Sequence, residues 1–202
     1  MKRTLLALLL AASLLTACNQ ESQTPPAAAT VPGLPFPLPS TLSREEFQPQ
    51  LYAFLSSLAY RDRAGWRRDK GVRDTGPFLN GTYFGTHPAV RTYYSPEVYT
   101  WLKGGRQGEL PDGAMIVKEM YPPPAARYAG LNPDTQLPMP TWTCMIKDSA
   151  GAQDGWYWSY FDSNPNGSTP PVPQPVDDDD PPFSYPNSGF GSYCVQCHAS
   201  AD

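Results

Sequence analysis

The sequence predicts an α+β domain, a small antiparallel β-sheet flanked by one or two helices. Three observations lead there. Four runs rich in β-formers, at 89–94, 114–121, 141–148 and 156–161, fill the middle of the chain. The last two are joined by a loop, 149–155, that holds two glycines and has hairpin character. Helix signals occur in only two places, one ahead of the strands and one between the first two. That order excludes a four-helix bundle.

Residues 1–17 read as an export signal. Lys2 and Arg3 form its charged start, and the apolar run from Leu5 to Leu15 is too short for a comfortable membrane span. Leu15-Thr16-Ala17-Cys18 looks like a bacterial lipobox, with Cys18 lipidated and becoming the mature N-terminus. The alternative is a plain cleaved signal with an incidental cysteine. The lipobox reading predicts a periplasmic or otherwise extracytoplasmic protein, held on a membrane by acyl chains. Losing Lys2 and Arg3 makes the formal charge of −4 two units more negative. An acidic surface argues against nucleic acid or anionic lipid as the main partner.

Residues 18–41, rich in Pro, Ala, Thr and Ser, read as a tether, and 42–202 as the folded domain. Ser43-Arg44-Glu45-Glu46 matches a capping box, with Leu42 and Phe47 as its hydrophobic staple. Pro49 implies either that this first turn ends there or that the main helix starts around it. Leu51, Phe54, Leu55 and Leu58 give that helix one apolar face. The stretch from Arg61 to Asp74 carries both charge signs and reads as a solvated face anchored by Trp66; a patch for haem propionates or for a redox partner is the alternative.

After the strand at 89–94, Ser95-Pro96-Glu97 is a helix start, with Val98, Trp101 and Leu102 as the buried face and Gly104-Gly105 as the stop. Pro111-Asp112-Gly113 is a turn into the second strand, which Pro122-Pro123-Pro124 ends. Residues 162–192 are rich in Pro, Asn and Gly and read as a solvated loop; the acids at 177–180 lack a calcium-loop spacing.

The chemistry sits in Cys194-Val195-Gln196-Cys197-His198. C-x-x-C-H is the attachment sequence for c-type haem. Each thiol forms a thioether with one vinyl group, and the adjacent histidine supplies the axial nitrogen to iron. The fold therefore carries its haem on the C-terminal segment, with Cys194 and Cys197 as attachment points and His198 as proximal ligand. Half of a zinc site or a thiol redox pair are the alternatives. Zinc would want a second pair of ligands, and only His87 and Cys144 remain. No βαβ pattern supports a thioredoxin-like pair. Cys144, between Thr143 and Met145 in a strand-like run, is expected to be a buried free thiol.

The middle of the chain resembles the cytochrome P-460 family. The resemblance rests on Val90-Arg91-Thr92-Tyr93-Tyr94, the segment from Pro96 to Trp101, and Pro111-Asp112-Gly113-Ala114-Met115-Ile116-Val117-Lys118-Glu119. The strand Trp156-Tyr157-Trp158-Ser159-Tyr160-Phe161 and the terminal C-x-x-C-H follow in the family's order. It implies one covalent haem c, five-coordinate iron with an open distal side, and a homodimer. Two chemistries are implied: hydroxylamine oxidation, with a lysine bonded to the porphyrin edge, or nitric oxide binding without that bond, as in cytochrome c′-beta. Lys118 matches the cross-linking lysine. From the residues alone, Lys118 shares a strand face with Ile116 and Met120, and could equally snorkel to water. Substrate oxidation also needs a proton-accepting carboxylate. The candidates are Glu119, which strand alternation turns to the opposite face, and Asp162. The long tether, the Arg/Asp-rich segment and the acidic loop depart from the family's short members and suggest a side branch.

The functional expectation is an exported, lipid-anchored monohaem cytochrome that handles small nitrogen species and passes electrons to a partner cytochrome. The alternatives are a nitric oxide sensor and a six-coordinate electron carrier. Four residues follow His198, so a sixth ligand is expected from upstream: His87, Met115, Met120, Met139 or Met145. His87, between Gly85-Thr86 and Pro88, is expected in a turn as a surface or structural histidine; the methionines are expected in the core.

Overall fold

The computed structural model describes residues 34–84, 87–151, 154–161, 188–190 and 198. The expected export signal, Cys18, Asp162, the acidic loop, Cys194 and Cys197 lie outside the described residues. The elements are α1 (Arg44–Ser56), β1 (Arg67–Arg68), β2 (Phe78–Leu79), β3 (Thr82–Tyr83) and β4 (Ala89–Tyr94). They continue with α2 (Pro96–Lys103), β5 (Met115–Tyr121), β6 (Thr141–Lys147), β7 (Trp156–Phe161) and β8 (Ser188–Phe190). Six strands form one sheet in the order β1-β4-β5-β6-β7-β8, and every pair is antiparallel. The four strands expected from sequence are its centre. The additions are β1 and β8 at its edges and a separate β2–β3 hairpin.

The capping box forms. Ser43 Oγ accepts from the Glu46 backbone N–H at 3.3 Å, and the Glu46 carboxylate accepts from the Ser43 N–H at 3.0 Å. The helix neither ends nor starts at Pro49 but runs through it. It stops at Ser56, so Leu58 falls in the following turn at φ +57° and packs partly buried against the core. Ser95 occupies the N-cap of α2 but makes no cap bond there; its Oγ accepts the Met115 N–H at 3.0 Å and ties the helix start to β5. Of the expected buried face of α2, only Val98 is fully enclosed.

Alternation along the strands gives the sheet two faces. One receives Phe47, Leu51, Phe54 and Leu55 of α1, which pack with Tyr93, Val117, Trp142, Ile146, Tyr157 and Phe161. Trp66 anchors its segment here, with ring centres 6.1 Å from Phe54 and 6.4 Å from Tyr60. Cys144 lies in the same core as a buried free thiol, and burial raises its pKa. Packed structure also reaches back past residue 42. Leu34 and Phe36 are buried, and Phe36 meets Phe47 and Phe54 edge-on. Ser40 donates through its N–H and its hydroxyl to the buried Asp148 carboxylate at 2.7 and 2.9 Å.

The segment from Arg61 to Asp74 is not simply a solvated face. Arg61 enters the core, and Asp69 takes the Thr92 N–H at 3.1 Å and the Tyr94 hydroxyl at 3.3 Å, fastening the segment to the edge of β4.

Candidate functional site

The site lies on the other face of the sheet. In β5 that face carries Ile116, Lys118 and Met120. The register sets Ile116 opposite Met145 and Lys118 opposite Thr143; it then sets Met145 opposite Trp158 and Thr143 opposite Tyr160. Two rows of side chains thus cross three strands, and no α1 residue covers them. These side chains, with His87, Pro88 and His198, line a cleft of about 890 Å³ including its open mouth. The lining is mostly apolar. Its charged member is Lys118, and among the described residues no carboxylate lines it.

His198 packs against Trp158, with ring centres 4.9 Å apart. The His87 ring lies 6.3 Å from that of His198, tilted by 42°. His87 is therefore not a surface histidine: it is half-buried, and it immediately precedes Pro88 and β4. Burial, helped by the charge of Lys118 and by His198, lowers the His87 pKa to about 4. Partial burial and Lys118 also lower that of His198. Both shifts favour the neutral imidazole, the form in which histidine binds metals.

The other candidate ligands separate cleanly. Met120 and Met145 line the cleft, Met115 is buried on the core face, and Met139 is 55 % exposed. Cys144 and Ser159 touch the cleft from the core-facing register of their strands.

Glu119, the candidate proton acceptor, is turned to the core face and is 0 % exposed. Its Oε1 accepts from the Tyr60 hydroxyl at 2.6 Å and from Arg61 Nε at 2.7 Å; its Oε2 accepts from the Tyr121 hydroxyl at 2.5 Å. Trp142 Nε1 donates to the Tyr60 hydroxyl at 2.8 Å. Burial would lower the Arg61 pKa, but the hydrogen bond and charge of Glu119 hold it above the ordinary arginine value. Burial, reinforced by Glu119, raises the pKa of Tyr60 and Tyr121. Glu119 is the hub of a structural network, away from the cleft.

The cleft residues fit a haem. The lining is mostly apolar and includes one lysine and two imidazoles whose ring centres are 6.3 Å apart, a donor set that suits an apolar ring with a metal. Among the described residues no group of three or more His, Cys, Asp and Glu forms a separate metal site. The sequence pointed to His198 and Lys118 but missed the contribution of β6 and β7. The alternation Thr141, Thr143, Met145 and Trp158, Tyr160 was visible; the register that sets it beside Lys118 was not.

Comparison with protein families finds that the Cytochrome P460 family matches residues 85–202, more than half of the chain. Comparison with curated proteins and with solved structures finds no match.

Proposed function

The chain belongs to the cytochrome P460 family, a family of haem-binding cytochromes, and from that premise we propose that it is an exported, lipid-anchored cytochrome that reversibly binds a small nitrogen species, nitric oxide foremost. One haem c would be attached through Cys194 and Cys197, with His198 as its proximal ligand, and would rest on the Lys118 face of the sheet. Cys18 would carry the lipid, residues 18–33 would form the tether, and the cytochrome would work outside the cytoplasm. Electrons would pass to or from a partner cytochrome, and two copies of the chain would form the working unit.

The observation that carries this reading is the cleft that brings His198, Lys118 and an apolar floor together without a described carboxylate. Oxidising hydroxylamine releases protons that need an acceptor beside the substrate. Of the two candidate acceptors, Glu119 is committed to three donors on the far side of β5 and Asp162 lies outside the described residues. Binding a gas needs no such acceptor. When bound, the haem would supply an iron that takes the ligand and changes oxidation state. The chain's own residues would hold that iron through His198, shield it with Ile116, Met120, Met145 and Trp158, and offer Lys118 from the same cleft lining.

Optical spectra of the haem-loaded protein, oxidised and reduced, with and without nitric oxide, test the reading. A spectrum that shifts on adding nitric oxide, without hydroxylamine turnover, supports it. A spectrum indifferent to nitric oxide, or steady hydroxylamine oxidation, overturns it. A reduced Soret band far to the red that returns to normal in Lys118→Ala would mark a covalent lysine–porphyrin link.

A further inference from the structure

We propose that the basic edge of the sheet, residues 67–73, is where an acidic electron-carrier protein docks. The inference rests on the haem reading above and gives the redox partner a chemistry and a landing site. It starts from charge. Residues 61–74 hold six positive side chains against three negative ones, in a chain whose formal charge is −4. Several of these charges are matched internally. Arg61 meets Glu119 in the core, Arg68 pairs with Asp134 at 2.8 Å, and Arg73 pairs with Asp69 at 3.4 Å. Asp69 also holds β4, and Asp74 accepts the Ala125 N–H at 2.9 Å. Arg67 and Lys70 are exposed and, among the described residues, form no ion pair. The Arg67 guanidinium lies 5.5 Å from the centre of the Tyr99 ring of α2, which holds it at the surface. Lys103, four residues on from Tyr99, stands on the same stripe of α2 and is also exposed. Unmatched positive charge therefore gathers along one edge.

Two observations turn that edge toward a protein and toward the cleft. Lys70 borders a groove lined by Val72, Tyr128, Leu131 and Leu137. An apolar and aromatic centre rimmed by basic side chains is the anatomy of a protein interface. Charge on an edge strand also blunts aggregation, but that role asks for neither the groove nor the Tyr99 stack. The second observation is register. Arg73 bridges Val90, Val90 pairs with Met120, and Met120 lines the cleft. Two strand spacings, about 10 Å, separate the Arg73 backbone from that of the cleft floor. A partner on this edge stands beside the haem site. One electron then passes between partner and iron, oxidising one as it reduces the other, with no bond made or broken.

The charge balance also selects orientation. Apart from this segment the chain is more negative still, so an acidic partner is repelled elsewhere and attracted here.

The test adds a small acidic [2Fe–2S] ferredoxin, as the probe, to the haem-loaded full chain. Calorimetric titration follows association, which needs no haem chemistry, and stopped-flow absorbance follows electron transfer. Binding is expected at low salt and should weaken as salt rises. Arg67→Glu and Lys70→Glu are each expected to weaken it about tenfold, and Lys70→Gln by less. Arg44→Glu changes the net charge equally from α1 and is expected to leave affinity within about twofold. Absent ferredoxin binding, or equal weakening by the edge and α1 variants, overturns the proposal and leaves the haem reading standing. Capture by phosphatidylglycerol vesicles that the edge variants abolish, without ferredoxin binding, also overturns it and assigns the edge to a membrane. The expected docking on a chain that carries no covalently attached haem overturns the haem reading and leaves the docking surface standing.

Discussion

The two faces of the central sheet are made by the same four strands, yet they are built on opposite rules. The α1 face is closed: Phe47, Leu51, Leu55 and Ile146 are 0 % exposed, and its polar hub, Glu119, has a donor for each carboxylate oxygen. The Lys118 face is open, with Ile116, Lys118, Thr143 and Met145 only half-buried and two imidazoles above them. Neighbouring residues of β5 therefore do different work. Glu119 secures the fold and Lys118 faces the cleft, because successive strand residues point to opposite sides. A carboxylate beside a lysine in sequence is no sign that the two share a site.

Substitutions on the two faces should separate stability from haem chemistry. The largest effect is expected for Glu119→Ala, which leaves Arg61 buried without its anion. It should cost about 3–5 kcal/mol in urea unfolding while leaving the spectrum of any folded, haem-loaded fraction unchanged. Phe47→Ala should follow at roughly 3–4 kcal/mol, again without a spectral change. The next contrast is in alkali. Burial beside Glu119 raises the pKa values of Tyr60 and Tyr121 above the ordinary tyrosine value, so the unfolded chain loses these protons first. Their contribution is present below about pH 10 and is lost as pH rises above it, so stability should fall there. Tyr60→Phe should flatten that fall, as seen by circular dichroism across an alkaline titration. The smallest stability effect is expected for Ile116→Ala on the open face, about 1 kcal/mol or less, with a measurable shift in haem reduction potential.

The strands were legible because their periodicity is local. Residues 89–94 and 156–161 carry their β-character in consecutive side chains, and the structure keeps both bounds. Strands of two or three residues, such as β1 and β8, have no period to read. Leu34 and Phe36 were hidden by their proline-rich setting, which resembles a tether until α1 provides a surface for them. The site was half legible for the same reason. C-x-x-C-H and the Lys118 strand are continuous motifs. His87 depends on where a turn before β4 comes to rest relative to His198, and only the folded register decides that. The Glu119 network likewise needs Tyr60 and Arg61, which arrive from the turn after α1.

The central claim is that the haem lies on the Lys118 face. Methyl NMR of the haem-loaded protein tests it most directly, because a haem strongly shifts or broadens the methyl groups it touches. The account predicts large perturbations for Ile116, Met120 and Met145, with Val117, Ile146 and Met115 close to ordinary positions. Perturbed Val117 and Ile146 beside unperturbed Ile116 and Met145 would put the haem on the other face and contradict it.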